Sequence, residues 1–118
     1  MRIVILTGAG LSAESGLGTF RDRGGIWERF DPYELATPEA FARDPGKVQE
    51  FYNLRRADCL AAEPNAAHRA LARLVAAGRH EVTLVTQNVD DLHERGGAAA
   101  IHMHGSLLGA LCHACGAR

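Results

Sequence analysis

The sequence is poor in the features that would mark it for a membrane, a nucleic acid or a secreted scaffold. No apolar run approaches the roughly 18 residues that suggest a membrane span. The opening run, Ile3 to Leu6, is also too short for a signal peptide, and Glu14, Arg21 and Asp22 follow closely. Formal net charge is only -1, so nothing recommends nucleic acid or an anionic membrane surface as a partner. Lys47 is the only lysine, and nearly all positive charge is arginine. There are three cysteines, Cys59, Cys112 and Cys115. An odd count with one tight pair does not resemble a secreted disulfide framework, and a reducing, cytoplasmic location is expected. No internal repeat is present. The one low-complexity tract, Gly96-Gly97-Ala98-Ala99-Ala100, predicts a surface turn.

What remains is an ordinary globular composition. The chain has 118 residues, 47% hydrophobic and 23% charged, which predicts one domain with a modest core. Ile3 to Leu6 is aliphatic without alternation and ends near Gly8, the pattern of a parallel strand buried on both faces. Val82 to Val85 repeats it before Gln87-Asn88, and Ala100 to Met103 gives a shorter version before His104-Gly105. Between them, Pro38 to Ala42, Pro45 to Leu60 and Asn65 to Ala77 carry apolar residues at helical spacing. Pro64 precedes the last helix, and Gly78 stands at its C-terminal stop. Strands alternating with helices predict an α/β fold with a parallel sheet. About 75 residues separate the first two strands, far more than the dozen or so a crossover needs, so a helical insertion is expected.

Four segments could carry chemistry. Gly8-Ala9-Gly10-Leu11-Ser12-Ala13 follows the first strand in the G-x-G-x-x-G/A form of a dinucleotide loop. Glycines let backbone approach a pyrophosphate, and free amides at the next helix start can bind it. The same string could also be a tight strand-to-helix turn with no ligand. The acidic residue usual about 20 positions later is absent, which disfavours an ordinary NAD(P) dehydrogenase. Gln87-Asn88-Val89-Asp90 and His104-Gly105 lie at strand ends, where open parallel sheets bind ligands. Read alone, Asn88 and Asp90 could simply cap a helix, and His104 could be bonded to backbone. Cys112-His113-Ala114-Cys115-Gly116 suits one half of a structural zinc ribbon, with a redox dithiol as its rival. Cys59 reads as buried filler in a helix.

The longer string resolves these alternatives. Gly8 to Gly16, followed by Thr19-Phe20-Arg21 and Gly25-Ile26-Trp27, closely resembles the first cofactor motif of the sirtuins, NAD-dependent protein-lysine deacylases. Gln87-Asn88-Val89-Asp90 and His104-Gly105-Ser106 resemble two further sirtuin motifs in the right order. The resemblance implies a Rossmann-like parallel sheet with a helical insertion, and NAD as cofactor. Gly8, Ala9 and Gly10 would meet the diphosphate, with Ser12, Ala13 and Glu14 completing that loop. Thr19, Phe20, Arg21 and Trp27 would belong to a segment closing over the nicotinamide ribose. Gln87, Asn88, Val89 and Asp90 would hold the nicotinamide side. His104 would be the general base, a role suited to a side chain whose reference pKa is about 6.5. His93 also matches a frequent family position without a catalytic role. His68, His80, His102 and His113 read as surface or structural residues.

The reaction implied begins with attack of the acyl-lysine carbonyl oxygen on the ribose carbon that bears nicotinamide. It ends in free lysine and O-acyl-ADP-ribose, and water must be excluded early. Acylated lysine side chains of proteins are the implied partners. Tyr52 and Arg55 stand three apart on one helix. On their own they could be a surface pair, with Arg55 reaching Asp58. Tyr-x-x-Arg in this place resembles class III sirtuins, whose pocket takes succinyl, malonyl or glutaryl groups. There Arg55 would grip the acyl carboxylate, Tyr52 would add a hydrogen bond, and Ala36 would leave room. Acetyl-lysine stays possible.

Sirtuins place the first half of a four-cysteine zinc site where Cys112 and Cys115 stand. The expected organisation is therefore an NAD-binding part, 1–35 and 79–106, a helical insertion with the acyl pocket, 36–78, and the first half of a zinc ribbon, 107–118. On this reading the chain is the N-terminal portion of a catalytic domain, truncated before the zinc and adenosine sites are complete. An inactive fragment and a protein ADP-ribosyl transferase are the alternatives.

Overall fold

The computed structural model describes residues 1–18 and 30–118. Its frame is a three-stranded parallel sheet of β1 (Arg2–Thr7), β2 (Glu81–Thr86) and β3 (Ile101–His102), in that order. β1 and β2 pair along their full length, from Arg2 opposite Glu81 to Thr7 opposite Thr86. β3 meets only the far end of β2, with Val85 opposite Ile101 and Thr86 opposite His102. All three strands therefore finish at one edge, which is where the glycine loop and both polar motifs begin.

Helix α1 (Ala9–Ala13) follows β1 directly. Then come α2 (Pro32–Leu35), α3 (Pro38–Arg43) and α4 (Pro45–Ala61). Each of these three opens on proline, whose fixed φ and missing N–H suit a first helical position. Each is preceded by a side-chain cap, Asp31, Thr37 and Asp44, that accepts a backbone N–H. The helices pack together around Phe30, Leu35, Ala40, Val48 and Phe51.

A second cluster belongs to the sheet. Helix α5 (Ala66–Ala76) lays Ala72, with Leu71 and Val75, against Ile5, Val82 and Leu84. Its N-cap Asn65 accepts from the Ala67 and His68 amides, while the His68 ring accepts from the Asn65 amide. Gly78, just past the C-cap, has φ +64 and ends the helix in the left-handed region. Short helix α6 (Leu92–Gly96) precedes β3.

Two expectations change. β1 is buried on one face only: Ile3 and Ile5 are half-buried, while Val4 and Leu6 are 71% and 61% exposed. Among the described residues, α5 covers the Ile5 face and no described helix covers the other. The Gly96–Ala100 tract is not a simple surface turn either. Ala98 is buried in the sheet core, and a Cβ on Gly96 would lie 3.1 Å from the His68 Cβ. Glycine there permits close approach of α6 to α5.

No helix among the described residues is long and apolar enough to cross a membrane.

Candidate functional site

Because Thr7 and Thr86 are register partners, the segments that follow them emerge side by side. Gln87 donates its amide to the Thr7 carbonyl at 3.0 Å, extending the pairing past the strand ends. Asn88 then reaches across. Its Nδ2 donates to the Gly8 carbonyl at 3.0 Å and to the Ser12 hydroxyl at 3.2 Å. Ser12 in turn donates to Asp90 Oδ2 at 2.9 Å, and Asp90 Oδ1 accepts from the Leu92 amide at 3.0 Å. Ser12, Asn88 and Asp90 are all buried. The Asn88 Nδ2, the Ser12 hydroxyl and both Asp90 oxygens are partnered, as burial requires. The glycine loop is thus locked to the end of β2 by side chains.

Asn65 locks it from the other side. Its Nδ2 donates to the Leu11 carbonyl at 2.8 Å and to the Ser15 hydroxyl at 3.0 Å. One residue caps α5 and fastens α1. We expect Asn65→Ala to lower stability by about 1–3 kcal/mol, combining the lost cap and the carbonyl left unpaired. Denaturant unfolding checks this, and a change below about 0.5 kcal/mol, as for a simple surface site, would contradict it.

Under the loop lie two buried histidines. The His93 Nε2 meets the Thr7 hydroxyl at 2.9 Å, and the His68 and His93 rings stand edge to face with centroids 5.2 Å apart. Burial pushes both rings below the usual histidine range, with mutual repulsion adding to the effect at His68. They are neutral packing and hydrogen-bonding groups. His102, in β3, differs: it meets the Asn88 carbonyl and Glu94.

The arrangement suits a dinucleotide. The first turn of α1 leaves the Ala9 and Gly10 amides without helical acceptors, and a Cβ on Gly10 would have open space around it. Thr7, Gly8, Ala9 and Gly10 also line an open groove of about 540 Å³ that runs beside α5. Asn88 spends its Nδ2 on the loop, and among the described residues its Oδ1 is the side-chain atom open to a ligand amide. Gln87 and His104 are exposed at the same edge of the sheet, His104 in the turn after β3. Val89 accepts the Leu107 amide through its carbonyl at 2.8 Å. Ala13 and Glu14 are exposed on the outer side of α1. Thr19, Phe20, Arg21 and Trp27 lie outside the described residues.

A second cavity, about 350 Å³, is lined by Ala36, Thr37, Phe41, Tyr52 and Arg56, among others. Ala36 and Tyr52 are brought together there as expected of a pocket. The arginine lining it is Arg56, which also donates to Asn53 at 2.7 Å. Arg55 sits over the Phe51 and Tyr52 rings, 5.7 and 5.6 Å from their centroids. Burial lowers its pKa, opposed by Tyr52 and Cys59.

The zinc assignment to Cys112 and Cys115 is corrected by the structure. Both are exposed, and among the described residues no group of three or more His, Cys, Asp and Glu side chains is placed to hold a metal ion. A structural zinc site needs four donors. The two cysteines sit in a tight turn closed by Gly116 N–H to the Cys112 carbonyl at 2.9 Å, and His113 instead packs on Phe41. Segment 107–118 is described here by turns and coil alone.

Residues 8–118 match the model of the Sir2 family. The chain belongs to that family. It is 56% identical to an NAD-dependent protein deacylase of Caulobacter vibrioides, over 98% of this chain and 50% of that protein. It is 58% identical to another of Vibrio parahaemolyticus, over 93% and 47%. Among solved structures it superposes on a Sir2 homologue–NAD complex with a TM-score of 0.88 at 50% identity, covering 98% of this chain and 45% of that one. It superposes equally closely on a Sir2 homologue mutant bound to 2'-O-acetyl ADP ribose, with a TM-score of 0.88 at 50% identity over 98% and 47%. The chain spans about half the length of the relatives it matches.

Two residues outside the sequence motifs also position the site. Asn65 reads in the sequence only as the start of a helix, and its clamp on α1 is hidden because the partner lies 54 residues away. His102 gave no signal, since its partners come from two other segments.

Proposed function

We propose that the protein containing this chain removes acyl groups from protein lysines in an NAD-dependent reaction, releasing nicotinamide and forming O-acyl-ADP-ribose. The observation that carries this reading is the bonded bridge of Gly8, Ser12, Asn88 and Asp90 at the carboxyl edge of a Sir2-family sheet. Relatives of half-identical sequence include one solved with NAD and one with 2'-O-acetyl ADP ribose, which supports the assignment of both cofactor and product.

In this reading Gly8, Ala9 and Gly10 present backbone to the diphosphate, with Ser12, Ala13 and Glu14 beside them. Asn88 and Asp90 orient the nicotinamide and its ribose, flanked by Gln87 and Val89. Thr19, Phe20, Arg21 and Trp27 act as the closing segment. Bound NAD supplies the electrophilic ribose carbon and the nicotinamide leaving group. His104 would accept the proton of a ribose hydroxyl of the bound nucleotide. Residues 1–35 and 79–106 serve the cofactor, and the insertion at 36–78 serves the acyl group.

The substrate class is the finer part of the proposal. A class III pocket for succinyl- or malonyl-lysine is supported by Ala36 and Tyr52 lining one cavity with Arg56, while Arg55 lies over the Tyr52 ring. Acetyl-lysine fits the same space. Other proteins' acylated lysines are thus the partners, and the odd cysteine count favours work in the cytoplasm.

The experiment is to incubate the whole protein with NAD and succinyl-, malonyl- or acetyl-lysine peptides and follow nicotinamide release. Stoichiometric nicotinamide and deacylated peptide are expected. Hydrolysis of NAD unaffected by peptide would overturn the proposal.

A further inference from the structure

His102 has two acceptors facing its two ring nitrogens. Nδ1 lies 2.9 Å from the Asn88 carbonyl oxygen, and Nε2 lies 2.8 Å from Glu94 Oε1. A carbonyl oxygen can only accept, so Nδ1 must carry a proton. Nε2 then either donates to a Glu94 carboxylate or accepts from a protonated Glu94. Glu94 Oε1 already accepts the Ala100 amide at 3.2 Å, and its side chain is 38% exposed. With a carboxylate at Glu94, both ring nitrogens donate and the ring is an imidazolium. We infer that His102 is a positioning residue, held as an imidazolium strap that ties the Asn88 backbone to Glu94 and so fixes the Asn88 side chain on the glycine loop.

The consequence reaches the cleft through one residue. The carbonyl of Asn88 is held by His102, and its amide donates to the Thr86 hydroxyl at 3.0 Å. Its side chain holds Gly8 and Ser12. Deprotonating His102 removes a charge-assisted hydrogen bond, leaving two acceptors competing for one N–H. Asn88 would then lose part of what fixes its position beneath the cofactor loop.

The charges around the ring agree. Burial alone would disfavour the cation, but the hydrogen bonds to Glu94 and Asn88, with the Glu94 and Asp90 charges, outweigh it and raise the His102 pKa above its ordinary value. Among the described residues, the neighbouring base coupled to the ring is His93, and burial pushes its pKa down. The sign follows. A histidine with a raised folded pKa contributes stabilisation that is present below its unfolded pKa of about 6.5 and is lost as pH rises through the folded value. His68 and His93 have lowered values and act oppositely, losing their contribution on the acid side. The His102 effect is therefore read above neutrality.

This inference rests on the NAD reading only for its functional arm, so the test has two arms. In the chain labelled with nitrogen-15, imidazole spectra at neutral pH should show both His102 nitrogens protonated, with a midpoint above the ordinary histidine range. Glu94→Gln should bring that midpoint down, and the Asn88 side-chain amide signal should move with pH in the wild type but not in His102→Gln. A neutral His102 with a single protonated nitrogen, or an Asn88 amide indifferent to His102, overturns the strap whether or not NAD binds. In the whole protein, NAD affinity should fall about tenfold as pH rises through the His102 midpoint, the size of one lost charge-assisted bond. In His102→Gln it should be flat over that range and weaker at neutral pH. An NAD affinity with the same pH profile in both proteins would leave His102 a structural residue and sink its positioning role. Failure to bind NAD at any pH, with the spectra as expected, would instead count against the proposed function.

Discussion

His104→Ala in the whole protein is expected to lower deacylation at least about a hundredfold, the usual contribution of a general base. NAD affinity and thermal stability should change little. His104 is exposed in the turn after β3, and a surface substitution away from caps and buried pairs usually shifts stability by no more than about 0.5 kcal/mol. That separation matters, because Asn88 and Asp90 cannot be replaced so cleanly. Both are buried and fasten the glycine loop, so their variants would lose fold and cofactor together. Single-turnover rates with saturating NAD give the cleanest reading. Turnover within about tenfold of wild type would remove His104 from the role of base.

Arg55→Met should cost desuccinylation about ten- to a hundredfold more than deacetylation, the worth of one charge-assisted contact to a carboxylate. The structure sharpens this experiment. Arg55 rests over the Phe51 and Tyr52 rings, whereas Arg56 lines the cavity that Ala36 and Tyr52 share. The two arginines are adjacent on α4 and project about 100° apart, so both cannot address one carboxylate equally. Arg56→Met is the control, with both substrates affected alike and weakly. If Arg56→Met proves the succinyl-selective variant, the pocket stands and its arginine is reassigned. Equal losses on both substrates in both variants would end the case for an acidic acyl group.

The frame of the molecule was legible because it rests on local patterns. Runs of β-branched and aliphatic residues at Ile3–Leu6 and Val82–Val85 became β1 and β2, and the proline-led segments became α3 and α4. The parallel pairing of β1 with β2 followed from strand and helix alternation. Cys59 is buried as expected, at 1% exposure. What pattern cannot reveal is which polar side chains meet across the chain. Ser12 and Asp90 are 78 residues apart, Thr7 and His93 are 86 apart, and neither residue type announces its partner. The same limit explains the opposite error at Cys112 and Cys115. A short knuckle suggests a metal by its spacing, but a site exists only where further donors converge, and among the described residues none do. The exposed Val4 and Leu6 show a related gap, since a strand's sequence says it can be covered on both faces but not what covers it.

On the proposed function, the loop after β1 and the segment after β2 together form the floor of an NAD site. The most direct measurement is nuclear magnetic resonance mapping of backbone amides on addition of NAD or ADP-ribose. The largest shifts are expected at Gly8 to Ala13 and at Gln87 to Asp90, with smaller ones at Asn65 and His102, which support those segments. Shifts confined to the cavity around Ala36 and Tyr52, or none at the glycine loop once NAD is bound, would contradict it.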